Sequence, residues 1–242
     1  MSSATESNGG MQATNDLNIF SRIVNVFFAP SKTFLAVVEK PKWALPLILS
    51  LVVILGAMYV LSSVVVIDSK AAMEEQMAER GMSDDQIAQA VANAENMVKI
   101  SAMVAPILLG TIATFVLAGI WLMLGNTILG GAANYKQMLG VVVYSGFIGL
   151  LGFLIKMPIM LSQQTMNVHF SLATFMADAS KDTFLYKALA NVEIFNLWTI
   201  AVYSIGIAIV AKLKVKSVWP WVLILSILYW VAAAGLGSAF GQ

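Results

Sequence analysis

The chain has 242 residues, 59% hydrophobic and 11% charged, with a mean hydropathy of +0.82 and a net charge of +1. A soluble domain carries about 25% charged and about 45–50% apolar residues, so this composition points to a membrane protein. The near-zero charge excludes a basic nucleic-acid surface, and the lack of cysteine excludes disulfides, thiolate metal sites and cysteine nucleophiles.

Residues 1–16, "MSSATESNGGMQATND", read as a disordered polar tail without the basic and apolar regions of a secretory signal. An amphipathic interfacial segment follows over 17–42. Ile19, Phe20, Ile23, Val24, Phe27 and Phe28 recur at helical spacing, with Asn18, Arg22 and Asn25 off that face. The pattern predicts a helix lying in the membrane interface or packing on the bundle. Pro30 restarts a second short helix, and Pro41 stops it.

Residues 43–236 hold five apolar stretches, about 44–66, 102–125, 138–160, 192–211 and 218–236. Each is close to the roughly 20 residues that cross a bilayer core as a helix, and none alternates as a barrel strand does. The fold class expected is therefore all-α. It is a polytopic membrane bundle of five transmembrane helices, with N-terminal amphipathic helices and an extramembrane helical hairpin over 67–101. Residues 237–242 are expected to form a short tail.

In the hairpin, Gly81 suits a left-handed helix cap, and Ser83 with Gln86 suits a capping box for the next helix. The acidic residues there, among them Glu74, Glu75 and Glu79, read as a solvated face and not as a calcium loop. Between the second and third stretches comes "GGAANYKQMLGVVVYSG". Gly130 and Gly131 permit a turn, Asn134 to Gln137 form a surface loop, and Tyr144 and Ser145 fall inside the third span, where their hydroxyls need partners. Gly146, Gly149 and Gly152 form a small-residue stripe suited to packing within the chain or to a dimer face.

Basic residues set the orientation. Arg22, Lys32, Lys40, Lys42, Lys136 and the short turn "KLKVK" (Lys212, Lys214, Lys216) fall on one side. Most of the acids fall on the other. The expected topology puts the N-terminus in the cytoplasm and the C-terminus across a bacterial inner membrane. Trp43, Trp121, Trp219, Trp221 and Trp230 read as interfacial anchors.

Candidate intramembrane polar residues are Tyr144, Ser145, Lys156, Glu193 and Asn196, with Lys156 and Glu193 at similar depth and able to pair. The one histidine, His169, cannot build a zinc shell alone, and Asp178 or Asp182 would be distant partners for it as a base. No catalytic set, metal site or cofactor is predicted. The expected partners are the lipid bilayer, other membrane proteins or a second copy, and no nucleic acid. The reading is a non-enzymatic membrane-organising or partner-binding scaffold, with a small transporter or permease subunit as the alternative.

"FFAPSKTFLAVVEKPKWALPLIL", "GGAANYKQMLGVVVYSG" and the basic turn before Ser217 and Trp219 together resemble the Yip family of Rab-interacting membrane proteins, bacterial type. In that family the Tyr-Ser pair is often followed by proline, whereas Gly146 follows here. The resemblance implies a five-span membrane protein with no defined catalytic residues. Eukaryotic relatives look like trafficking factors that engage prenylated small GTPases, a role not carried over to a bacterial-type chain.

Overall fold

The computed structural model describes residues 17–168 and 193–239, so the tail 1–16, His169, Asp178 and Asp182 lie outside the described residues. Every long regular element described is a helix: α1 Ile19–Phe28, α2 Pro30–Glu39, α3 Ala44–Val60, α4 Ser62–Glu79, α5 Asp84–Met123, a π-helical turn Leu124–Ile128, α6 Tyr135–Gln163, α7 Ile194–Ala211 and α8 Val215–Ala239. Four of these are long and apolar enough to cross a membrane. The pair α3 and α4, bent by 65° at its junction, makes a fifth if counted as one broken span. α8 runs on to Ala239, into the stretch expected to be a tail.

The helices fall into two compact units. Of the described residues, unit one takes in 17–48, 114–151 and 193–239, and unit two 49–113 and 152–168.

In unit one the proline punctuation works as chain sterics require. A residue before proline is pushed out of the helical region. Ala29 and Lys40, which precede Pro30 and Pro41, both leave the helical region, Lys40 for the extended one, and end α1 and α2. Asn18 caps α1 by accepting from the Ser21 N–H at 2.8 Å. α2 packs on α1 and across α7, and α8 returns along α7. The first part of α6 is the centre of the unit: Met138, Leu139, Val141, Val142, Val143 and Tyr144 are all buried. An apolar helix buried all round has no polar face to offer solvent.

Two glycines let α2 approach. A Cβ on Gly140 would stand 2.6 Å from Val37 Cγ1, and one on Gly206 would stand 2.8 Å from Val141 Cγ1 and 2.9 Å from the Phe34 ring. Of the stripe expected to pack within the chain or to form a dimer face, Gly146 and Gly149 meet no neighbour within the chain. Helix crossings use whichever glycine faces the neighbour, not whichever glycines recur. Trp121 is buried and its ring lies 5.6 Å from that of Tyr203.

In unit two the bend at Leu61 has no Pro or Gly at the break. Leu61 is instead buried in a cluster with Val64, Met160 and Val168, against which Phe153 and Met157 pack. Asp68 accepts from the Met166 N–H at 2.5 Å and the Thr165 hydroxyl at 3.3 Å, closing the end of α6 onto α4. Past α4, Gly81 takes the left-handed conformation (φ 74°), and the Ser83 N–H donates to Gln86 Oε1 at 3.1 Å as α5 starts. α5 then runs 40 residues without a break at 101 or at Pro106. That is about 60 Å, twice a bilayer core, so its polar first half extends beyond the membrane.

There Glu95 accepts from Lys70 Nζ at 2.8 Å and Lys99 Nζ at 2.9 Å. The two ammonium groups, Lys70 foremost, hold the Glu95 carboxyl below its ordinary 4.5, at about 2. A depressed carboxylate contributes in full above the unfolded value and loses its contribution as pH falls through the folded one. The Lys70–Glu95 tie between α4 and α5 is therefore expected to hold above pH 4.5 and to fail on acidification towards about 2. A carboxyl NMR titration of Glu95 should show the low midpoint and a clear rise in Lys70→Ala. An ordinary midpoint in the unsubstituted protein would dissolve the triad.

Candidate functional site

The polar residues of unit one gather where the lead-in, the α5–α6 connection and the α7–α8 turn meet. Gly130 turns the chain with φ 71°, and the Gly131 N–H donates to Gly125 O at 2.8 Å. Asn126, in the π-helical turn, closes the connection from inside. Its Nδ2 donates to Ala133 O at 2.8 Å and its Oδ1 accepts from the Ala133 N–H at 2.9 Å. The Ala132 N–H crosses to Ala211 O at 3.0 Å and ties the connection to the end of α7. π-turns inside helices often mark functional sites; this one supplies a side-chain amide that stands in for a strand partner.

Asn134 to Gln137 are not a loop. Asn134 N-caps α6, accepting from the Gln137 N–H at 2.9 Å, while Gln137 Oε1 accepts from the Asn134 N–H at 3.0 Å. This reciprocal box satisfies two end donors of the helix. It also leaves Gln137 Nε2 free to donate to Val38 O at 2.9 Å, on α2. Tyr135 donates to Phe115 O at 3.0 Å.

Tyr144 is fully buried, and its hydroxyl donates to Lys42 O at 3.0 Å. Beside it lies Arg22, only 1% exposed. Arg22 Nε donates to Leu17 O at 3.1 Å and Nη1 to Lys40 O at 2.7 Å. Among the described residues no carboxylate comes within 4 Å of it. The Lys40 carbonyl stands at the C-terminus of α2, where the partial negative charge of a helix end favours a cation. The Arg22 carbonyl in turn accepts from the buried Thr33 hydroxyl at 2.8 Å. The periodicity put Arg22 off the apolar face of its helix, and it is that side which meets the protein, while Phe20, Val24 and Phe28 face out.

The remaining candidates do not converge on this cluster. Ser145 is fully buried, and neither its Oγ nor Trp121 Nε1 has a hydrogen-bond partner. Glu193 is buried at the start of α7, and Asn196 follows in the first turn. Since Gly206 meets Val141, Glu193 lies about 20 Å further along α7, at the far end from Tyr144. Lys156 belongs to unit two, and its pairing with Glu193 stays an expectation. Among the described residues no three His, Asp or Glu side chains group as a metal site. The acidic cleft of Glu74, Glu75 and Asp84, about 420 Å³, is wide open to solvent.

What this arrangement does chemically is hold helix ends together through carbonyls. Asn126→Ala would strand both the donor and the acceptor of Ala133. The expected cost is about 1–3 kcal/mol, with Asn126→Asp intermediate because it keeps the acceptor. Thermal loss of the monodisperse peak on size-exclusion chromatography in detergent measures it.

The Yip1 domain profile matches residues 24–239, from the middle of α1 to the end of α8. A relative, the membrane protein YknW of Bacillus subtilis (strain 168), is 28% identical over 227 residues, which cover 93% of this chain and 91% of that one. No solved structure matches. The match takes in the lead-in, both polar connections and every apolar helix, so the chain is a multi-pass helical membrane protein that belongs to the Yip1 domain family.

Proposed function

We propose that this protein is a non-enzymatic scaffold that organises the membrane or binds membrane-protein partners from its basic end. The observation that carries the reading is the use of Tyr144. The most buried tyrosine of the spans gives its hydroxyl to the lead-in at Lys42, so the polar groups join helices to one another. The basic end, with exposed Lys40, Lys42, Lys136 and Lys214, is placed in the cytoplasm of a bacterial inner membrane under the positive-inside rule. Because the chain has no cysteine, single cysteines at Lys136 and Lys214 should label only from the cytoplasmic side, and one at Ser83 only from the other. Opposite labelling reverses the orientation. Photo-crosslinking from Lys136 and Lys214 in native membranes should give discrete protein adducts that vanish when the probe moves to Val52, an exposed residue of the first apolar stretch. Adducts to lipid alone from every site would remove the scaffold reading.

A small transporter is the second reading, favoured by the unpartnered Ser145 Oγ and Trp121 Nε1 in the buried interior. It requires solute flux in proteoliposomes that Ser145→Ala or Glu193→Ala abolishes. Vesicles with and without protein that behave alike would discard it.

A further inference from the structure

The outward face of α1 carries a row of apolar side chains. Phe20, Val24 and Phe28 fall four residues apart on one line of the helix and are 70%, 55% and 83% exposed. The opposite face is locked: Arg22 and Val26 are buried, and the Arg22 guanidinium is bonded to both ends of the lead-in. The side of α1 that looks outward is therefore fixed, and it is the apolar one. Phe27, between the two faces, packs edge-on against Trp198 of α7 with ring centres 5.9 Å apart. α1 is thus seated on a span and not free in solution.

Three occupants could cover such a row: a second copy, another protein or lipid. Two features select lipid. Unit one also exposes Leu45, Ile48, Trp219 and Trp221, each by 40% or more, on helices of the membrane-crossing set. Exposed apolar side chains on such helices are what a bilayer covers. The charged residues exposed on the lead-in are mainly basic: Lys32, Lys40 and Lys42 against one described acid, Glu39. Lysines bordering an inserted apolar face suit phosphate headgroups of net negative charge. α1 has ten residues, about 15 Å, too short to cross the core, so it is confined to one leaflet.

We propose that α1 is an in-plane anchor in one leaflet. Phe20, Val24 and Phe28 insert among acyl chains, and the lysines of the lead-in bind anionic phospholipid headgroups. The idea stands apart from the scaffold reading, since it needs no protein partner.

The test uses the full chain in liposomes, with single cysteines at Val24, Phe28 or Lys136 carrying a bimane fluorophore. Each variant is first checked for a monodisperse peak. Nitroxide-bearing lipids are expected to quench the labels at Val24→Cys and Phe28→Cys by about twofold or more over Lys136→Cys, with aqueous iodide giving the reverse order. Iodide quenching equal to that at Lys136→Cys would mean the row lies in water and would overturn the anchor. Shielding from both quenchers would mean a protein covers it, a second copy included, and would overturn it too. The headgroup claim has its own arm. Adding phosphatidylglycerol to phosphatidylcholine vesicles should raise lipid quenching at Phe28→Cys, and the triple change Lys32→Glu, Lys40→Glu, Lys42→Glu should cancel the rise. No rise in the chain with its lysines intact would refute anionic recognition.

Discussion

Gly131→Ala is expected to be among the most damaging single-methyl additions in the chain. A Cβ at Gly131 would stand 2.8 Å from Ala211 Cβ, 2.8 Å from Ala211 O and 2.8 Å from Gly125 O. Two of these are backbone atoms, so relief requires moving the end of α7 or the π-helical turn. Overpacking of this kind costs about 1–3 kcal/mol. The bonds from Gly131 N to Gly125 O and from Ala132 N to Ala211 O lie in the same few ångströms, and losing them adds about 1 kcal/mol each. Two controls fix the interpretation. At Gly130 a Cβ meets open space but φ is 71°, so Gly130→Ala should cost only about 1–2 kcal/mol of conformational strain. At Gly146 there is open space and ordinary helix, so Gly146→Ala should be neutral or gain up to about 1 kcal/mol. The midpoint of thermal inactivation in detergent should rank them Gly131→Ala lowest, Gly130→Ala next and Gly146→Ala highest. Equal midpoints for Gly131→Ala and Gly146→Ala would mean that the helix ends do not approach this closely.

Arg22→Met should release the lead-in. The side chain keeps its volume but loses both bonds to Leu17 O and Lys40 O. Hydrogen bonds from a charged donor are worth about 1.5–3 kcal/mol each. Against this stands the cost of burying a cation with no carboxylate beside it. Guanidinium is weakly hydrated, and its acceptors include a helix C-terminus, so that cost is at its smallest here. The balance predicts a loss of about 2–4 kcal/mol. Arg22→Lys should recover only part, because a single ammonium on a shorter reach cannot span both carbonyls. Limited proteolysis of reconstituted protein should cut between α1 and α2 in Arg22→Met at protease levels that leave the parent intact. A protected Arg22→Met would show that α1 is held by its Phe27–Trp198 contact and not by the clamp.

Hydropathy makes the long helices legible because crossing a bilayer demands an apolar run of a set length, and nothing else in the chain has one. The caps at Gly81, Ser83 and Pro30 are legible for a similar reason: each acts on its immediate neighbours. The Asn134–Gln137 box was equally local but was obscured by its polar composition, which reads as loop. The tertiary joints are a different matter. Gly131, Gly140 and Gly206 matter because of what lies opposite, and Val37, Phe34 and Ala211 are remote in sequence. The break at Leu61 carries no breaker residue, since burial in the Val64–Met160 cluster sets it. Arg22 was placed on the right face of α1, but periodicity cannot tell which face meets protein when the surrounding medium is itself apolar.

The bonds that dock the lead-in also impose a schedule. Gln137 reaches Val38 across 99 positions and Tyr144 reaches Lys42 across 102. A ribosome adding about 5–20 residues per second needs about 5–20 s to make the difference. For that interval α1 and α2 exist without the helix they will rest on, and Arg22 has no Tyr144 hydroxyl beside it. The nascent lead-in must wait at the membrane surface until the third apolar segment leaves the insertion machinery. A chain stalled short of residue 144 would leave it there undocked.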